Sequence, residues 1–180
     1  MIEVEKLAIF DETGQKTLVE KLTALGAKDL GENHTSSTFY LGNGYQLKVT
    51  AQHSKKQAKI ALKPREFGAD FSHEYELIFS EDQVDTAEKM MDILMGNSPK
   101  IPTKQDRHDY LFEDVEIAVK YSEDWGYHAE FEQIVDSKEE VDAALKHIST
   151  VAKKLDITLL TKEEAAEKIK KELKRRGIAH

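Results

Sequence analysis

Seven segments of the chain alternate between apolar and polar side chains with a period of two residues, and no other feature limits the possible folds as strongly. Such alternation is typical of β-strands that turn one face toward a core. The segments are 2–10, 37–50, 57–63, 73–80, 104–111, 115–121 and 127–135. Turn signals occur at Asn43-Gly44, Lys63-Pro64 and Asp124-Trp125-Gly126. We therefore expect a sheet in which most strand pairs are antiparallel.

Four segments instead repeat apolar residues at helical spacing. Three of them begin with a capping box, at Ser80 to Gln83, Ser137 to Glu140 and Thr161 to Glu164. The first helix has no box and carries Leu18, Leu22 and Leu25. The apolar stripe after Ser80 is Val84, Ala87, Met91 and Leu94. The stripe after Ser137 is Val141, Ala144, Leu145, Ile148, Val151, Ala152 and Leu155. Each helix therefore has one face that packs against another element.

Length and composition restrict the remaining possibilities. A chain of 180 residues suits one domain, which we expect over residues 1–180 with a helical segment at about 137–177. Acids exceed bases, 34 to 26, which disfavours nucleic-acid binding. No run approaches the roughly 20 apolar residues of a membrane span, and no apolar signal core opens the chain, so we expect a cytoplasmic protein. Without cysteine, any metal must bind to oxygen or imidazole.

Acidic side chains occur in pairs on three predicted strands, at Glu3/Glu5, Glu74/Glu76 and Glu130/Glu132. The spacing of two residues places both members of a pair on one strand face. Basic side chains share the polar faces by the same alternation, at Lys48, Lys59, Lys63, Arg107 and Lys120. Two interpretations remain open. The polar faces form either an exposed surface of Glu–Lys cross-strand pairs, or the interior of a closed sheet whose apolar faces are covered by helices.

An interior of this kind predicts a specific chemistry. Carboxylates held close together raise each other's pKa values unless cations neutralise them, so the cluster indicates a site for Mg²⁺ or Mn²⁺. Lysine and arginine would bind the remaining charge of a polyphosphate chain. Hydrolysis would then use water activated by a carboxylate or by the metal.

Two aromatic residues near the last acidic pair allow two interpretations each. His128 is either a ligand or proton carrier, or a structural side chain. Trp125, the only tryptophan, either stacks on a base or thiazole ring or packs over a sheet edge.

The chain resembles the CYTH family, which unites class IV adenylate cyclases, thiamine triphosphatases and inorganic triphosphatases. The opening Ile2-Glu3-Val4-Glu5-Lys6 is similar to the family's N-terminal Glu-x-Glu-x-Lys signature. Further similarities follow in order at Leu47-Lys48-Val49, Ala61-Leu62-Lys63, Glu74-Tyr75-Glu76, Arg107 with Tyr110, and Gly126 through Glu132. The resemblance implies an α+β fold: an antiparallel, eight-stranded, closed or nearly closed β-barrel called a triphosphate tunnel, covered by amphipathic helices.

The resemblance also implies roles for the paired acids and the bases. Divalent metal, Mg²⁺ or Mn²⁺, would be held by Glu3, Glu5, Glu74, Glu76, Glu130 and Glu132. The phosphate chain would be bound by Lys48, Lys59, Lys63, Arg107 and Lys120. Catalysis would fall to Glu5, Glu130 and Glu132. The partner implied is a small molecule that contains a triphosphate.

The basic half of the family pattern is depleted in this chain. Leu7 stands where the signature lysine falls, and Thr50, Ser72 and Gln105 stand where further bases are expected. Lys120 replaces an acid. Three functions therefore remain open. They are metal-dependent hydrolysis of inorganic triphosphate or an organic one such as thiamine triphosphate, cyclic AMP formation from ATP, and non-catalytic binding of a triphosphate or nucleotide.

Overall fold

A computed structural model describes residues 2–42, 44–64 and 70–178. Its strands are β1 (Ile2–Ile9), β2 (Lys28–Glu32), β3 (Thr35–Gly42), β4 (Tyr45–Gln52), β5 (Gln57–Lys63), β6 (Phe71–His73), β7 (Tyr75–Ser80), β8 (Lys100–Phe112), β9 (Val115–Ser122) and β10 (Gly126–Val135). Its α-helices are α1 (Glu12–Ala24), α2 (Val84–Met95), α3 (Val141–Lys154) and α4 (Lys162–Arg175).

The strands form one antiparallel sheet in the order β6-β1-β10-β9-β8-β3-β4-β5-β7, with β2 paired to β8. Strand pairing does not close this sheet among the described residues. Its two end strands are nevertheless consecutive in the chain, separated only by Glu74. Because β6 pairs with β1 while β7 pairs with β5, one continuous segment reaches both ends of the curved sheet.

The predicted α+β, antiparallel architecture is confirmed, but the described residues form ten strands rather than the seven of the alternation or the eight of the family resemblance. Segment 37–50 divides into the β3–β4 hairpin. Gly44 of its predicted turn has a positive φ of 77°, whereas Asn43 lies outside the described residues. Segment 73–80 extends back to Phe71 and divides at Glu74. Strand β2 does not alternate, and its register on β8 shifts beside Gly31, so the sequence pattern missed it.

The largest core lies between the outer face of the sheet and helices α1 and α3. Leu18 and Leu22 of α1 and Ile148 of α3 are completely buried there, against Val4 of β1 and Phe131 of β10. Burial of such apolar surface is the main source of stability. Because helices cover this face, the alternate side chains of the same strands point to the inside of the curved sheet.

The helix starts are only partly as expected. The capping boxes at Ser137 and Thr161 are formed, but Ser80 makes no side-chain capping bond, and a short 3₁₀ turn precedes α2. Helix α2 packs on the sheet through Ala87 and Met91, while Leu94 is 71 % exposed and does not belong to the packed stripe. No described helix has both the length and the apolar character needed to span a membrane.

A charged tunnel as the candidate functional site

The inner face of the sheet surrounds a cavity of about 490 Å³. Strand alternation directs the acidic side chains into this cavity. The residues between the acids, such as Val4 and Phe131, point to the opposite face and are buried in the core beneath the helices. All the predicted site residues line this one cavity: Glu3, Glu5, Glu74, Glu76, Glu130, Glu132, Lys48, Lys59, Lys63, Arg107 and Lys120. The alternative of an exposed outer face of Glu–Lys pairs is therefore wrong.

Lys63 lies where three carboxylates meet. Its Nζ is 2.7 Å from Glu3, 3.0 Å from Glu74 and 3.3 Å from Glu5. Burial alone would lower the pKa of Lys63, but the three carboxylates outweigh it and raise that pKa. For Glu74, burial alone would raise the pKa, but the hydrogen bond to Glu3 and the nearby lysines outweigh burial and lower it. The Lys63 ammonium and the Glu74 carboxylate therefore hold each other in the charged state.

Three further bases are engaged by acids. Lys59 pairs with Glu76 and Lys120 pairs with Glu130 across neighbouring strands. Arg107 pairs with Asp109 and, at 3.0 Å, with Glu116, which lines the cavity. The sequence interpretation missed both acids. Strand parity contained the signal for both. Asp109 is two residues from Arg107, and Glu116 shares a face with Lys120.

Glu5 and Glu132 are opposite each other on β1 and β10, and further carboxyls lie close to both. Burial raises the pKa of Glu5, and the neighbouring carboxyls of Glu3 and Glu130 add to this against the attraction of Lys63. Burial raises the pKa of Glu132 to about 8, with further contributions from Glu3 and Glu116. Both carboxyls therefore lie where an additional cation would be stabilised.

Lys48 differs from the other bases because it has no ion-pair partner among the residues described. Its Nζ lies 5.5 Å from the centre of the Phe39 ring. Burial in the tunnel, followed by repulsion from Lys63, Lys59 and Lys120, lowers the pKa of Lys48 to about 8, and the attraction of Glu74 offsets only part of this. Lys48 is thus a cation with spare hydrogen-bonding capacity, as an anionic ligand requires.

The positions that depart from the family pattern also lie in or beside the tunnel. Leu7, Thr50 and Gln105 line it, whereas Ser72 is buried next to Glu3 in the β1–β6 pair. Lys6 binds Asp70 at 2.9 Å and reaches the edge of the cavity. The depletion of bases therefore affects the tunnel wall itself.

Helix α4 and the β9–β10 turn line another part of the cavity. Leu173 of α4 packs with Leu41 and Ile101 of the sheet, a contact that no strand pattern signalled. Trp125 lines the cavity below Lys168, whose Nζ is 5.4 Å from the ring centre. His128 is buried and bonds to the Gly126 carbonyl at 2.9 Å. Burial first, then Lys120, lowers the pKa of His128 to about 4, so the imidazole is neutral near pH 7.

The donor chemistry of the tunnel fits a hard divalent cation, because carboxylate oxygens dominate it. Within the ranges described, however, no three acidic or imidazole side chains are arranged as an open metal site. Where Glu3, Glu5 and Glu74 converge, the Lys63 ammonium occupies the centre. Mg²⁺ or Mn²⁺ would therefore need a shift of these side chains, or would bind nearer Glu5 and Glu132.

Comparisons with solved structures agree on the fold. The PH1012 protein of Pyrococcus horikoshii OT3 has a TM-score of 0.73 and 20% identity, over 90% of this chain and 98% of that one. An adenylate cyclase candidate from Vibrio parahaemolyticus has a TM-score of 0.70 and 15% identity, over 88% and 90%. HpAC1 of Hippeastrum, described as an adenylyl cyclase candidate with a dominant triphosphatase activity, has a TM-score of 0.60 and 15% identity, over 99% and 97%.

The sequence comparison is more specific. No curated protein matches the chain. Residues 1–166 nevertheless match the CYTH domain, which covers the whole sheet with its tunnel acids and bases. Together with the ten-stranded sheet around a charged interior, this match shows that the chain belongs to the CYTH family and has its triphosphate tunnel fold.

Proposed function

We propose that the chain hydrolyses a triphosphate compound in this tunnel with the help of Mg²⁺ or Mn²⁺. One observation carries the proposal: six glutamates from three separate strand segments and five bases line a single cavity of about 490 Å³. A cavity with both signs of charge suits a polyanion that arrives with a divalent cation. Membership of the CYTH family supports the same assignment.

The bases would hold the phosphate chain. Lys48 is available for phosphate oxygens at once, and Arg107 offers a planar fork that matches them. Lys59, Lys63 and Lys120 would exchange their carboxylate partners for phosphate when the carboxylates turn to the metal. This exchange keeps every buried charge paired, which is a requirement in a cavity with little water.

The carboxylates would divide into metal ligands and a base. Glu3, Glu5, Glu74, Glu76, Glu130 and Glu132 are the candidate ligands, and a bound divalent ion would neutralise phosphate charge and polarise the phosphorus centre. Glu5, Glu130 and Glu132 are the candidates for accepting the proton of the attacking water. A general base works best when its pKa lies near the operating pH, and the raised pKa of Glu132 meets this condition near neutral pH. Water oxygen then bonds to phosphorus as the bridging P–O bond breaks.

Phosphate release tests the proposal. The purified chain is incubated with Mg²⁺ or Mn²⁺ and with inorganic triphosphate or thiamine triphosphate. We expect turnover that chelation abolishes and that the double variant Glu130→Gln/Glu132→Gln reduces by at least about 100-fold. Glu20→Gln, an exposed position on α1, serves as the matched control and should keep full activity. Turnover no higher than that of the double variant would contradict the proposal.

A non-catalytic triphosphate- or nucleotide-binding module is the second candidate. It is favoured by Leu7 in the tunnel wall and by the ion pairs that already occupy most of the bases. Calorimetry that finds tight, metal-dependent binding without turnover would select it. Cyclic AMP in place of released phosphate from ATP would select the third activity, adenylate cyclisation.

A further inference from the structure

Lys48 differs from the other tunnel bases in its immediate neighbours, none of which is an acid. Strand pairing places it opposite Phe39 of β3 and Ala61 of β5. Gln46 and Thr50, two residues before and after it, share its face of β4. The four other bases predicted for the tunnel each form an ion pair with an acid, whereas Lys48 forms none among the residues described. Its amino group is therefore not held by a carboxylate.

Positive charges surround this amino group instead. Lys59 and Lys63 of β5 lie on the two diagonals from Lys48, because the residue directly opposite Lys48 lies midway between them. Lys120 adds a third positive charge, and Glu74 attracts Lys48 more weakly than the cations repel it. Burial, followed by repulsion from the three lysines, lowers the pKa of Lys48 to about 8. Roughly a tenth of Lys48 is therefore a neutral amine at pH 7.

A neutral amine in such surroundings is a nucleophile. Lysines that are removed from water and placed beside other cations are the ones that form imines with carbonyl compounds. The lone pair of Nζ attacks the carbonyl carbon and a C–N bond forms. The carbonyl oxygen then leaves as water with the two amine protons, and a C=N double bond remains. This condensation needs no oxidant or reductant.

The two sides of Lys48 limit which carbonyl compound fits. On one side the centre of the Phe39 ring lies 5.5 Å from Nζ, and Ile101 of β8 is paired with Phe39 and also lines the cavity. This side suits an apolar or aromatic body. On the other side are Lys59 and Lys63, whose charge suits a phosphate. An aldehyde that carries a phosphate group matches both sides.

We propose that Lys48 forms a reversible imine with phosphate-bearing aldehydes, so that the tunnel has a covalent reactivity besides the hydrolysis proposed above. The bases that would hold a triphosphate hold the phosphate of the aldehyde, and to that extent the inference rests on the proposed function. The imine fills the tunnel and removes Lys48 from triphosphate binding. Aldehydes of this class therefore compete with triphosphates for the protein.

Pyridoxal phosphate is the probe that tests the inference. The full chain is incubated with it near neutral pH, borohydride reduces any imine, and peptide mass spectrometry measures the label on each lysine. We expect Lys48 to be labelled at least about ten-fold faster than Lys89, an exposed lysine of α2. Saturating inorganic triphosphate should protect Lys48 and leave Lys89 unchanged. Pyridoxal, which lacks the phosphate, should label Lys48 much more slowly.

Two variants assign the reaction to one side chain. Lys48→Arg keeps the positive charge but forms no imine, so it should lose the fast labelling altogether. Lys89→Arg is the matched control and should keep it. Melting temperatures show whether each variant is folded.

The outcomes separate the inference from the function on which it draws. Equal labelling of Lys48 and Lys89, or fast labelling that survives Lys48→Arg, would overturn the inference and leave the hydrolase proposal untouched. Equal rates with pyridoxal and pyridoxal phosphate would show that the phosphate is not recognised and would also overturn it. Selective labelling of Lys48 by pyridoxal phosphate, in a protein that neither binds nor hydrolyses a triphosphate, would overturn the proposed function alone.

Discussion

Lys63 connects stability and function at the scale of single residues. Its side chain is 10 % exposed and neutralises carboxylates from β1 and from the junction of β6 and β7. Removing such a group destabilises the fold by more than the net energy of its ion pairs, because the removal leaves charges buried without partners. The same arrangement gives phosphate and metal a ready set of oppositely charged groups to exchange with.

Replacing Lys63 with methionine should therefore destabilise the fold by about 3–5 kcal/mol. Lys59→Met is the matched control, because Lys59 and Glu76 are 24% and 22% exposed and their pair should contribute only about 1 kcal/mol. Urea unfolding measures both. We also expect Mg²⁺ to stabilise Lys63→Met more than it stabilises wild type, since the carboxylates that have lost Lys63 would bind the ion. Equal losses in the two variants would contradict this account.

The pKa of Lys48 predicts how the affinity for a triphosphate depends on pH. Its pKa of about 8 in the unliganded tunnel means that it is largely protonated at pH 7 and loses its charge above pH 8. Affinity should therefore be flat below about pH 7 and fall by up to about ten-fold per pH unit above 8. Lys48→Arg, which cannot deprotonate in this range, should extend the plateau. Calorimetry across pH measures both profiles, and an unchanged affinity above pH 8 in wild type would refute the assignment.

At the scale of elements, helix α2 shows how spacing alone misjudges a face. The stripe Val84, Ala87, Met91 and Leu94 follows helical periodicity, yet the sheet contacts α2 through Ala87 and Met91, with Val84 and Met95 beside them. Leu94 falls on the flank of the helix. A curved sheet reaches only a narrow strip of a helix that lies across it, so the outer positions of an apolar stripe stay exposed.

This difference can be measured by alanine substitution. Met91→Ala should cost about 2–4 kcal/mol, because it removes a side chain that is 7 % exposed in the second core. Leu94→Ala, in the same helix but 71 % exposed, should change stability by no more than about 0.5 kcal/mol. Urea denaturation of the two variants provides the comparison. A large loss for Leu94→Ala would show that this residue is packed after all.

At the scale of the whole molecule, the sheet brings distant acids into one low-dielectric space. Glu132 on β10 meets the charges of Glu3 on β1 and Glu116 on β9. Folding therefore concentrates negative charge, and the molecule gains most from a cation when these carboxyls are ionised. The extent of the domain, residues 1–180 with a helical segment at about 137–177, stays a prediction.

The raised pKa of Glu132 predicts how the free energy of unfolding changes with pH. The folded-state pKa of about 8 exceeds the ordinary 4.5, so the folded form binds a proton that the unfolded form releases. Between these values stability should fall as pH rises, by up to ~1.4 kcal/mol per unit. Glu132→Gln should flatten this decline and be the more stable form near pH 8. Melting temperatures across pH, with and without Mg²⁺, provide the measurement, and parallel curves for the two proteins would contradict the assignment.

The sequence by itself determined which side chains face inward, because a strand turns successive residues to opposite faces whatever its partners are. That local rule identified the three Glu-x-Glu pairs and the five bases, and the family resemblance added the tunnel. Only the tertiary structure decided which of these side chains contact one another. Lys63 and Glu3 lie 60 residues apart, and their contact depends on the strand order of the curved sheet. Asn33 follows a strand without alternation, so its burial against the sheet became evident only once the sheet was assembled.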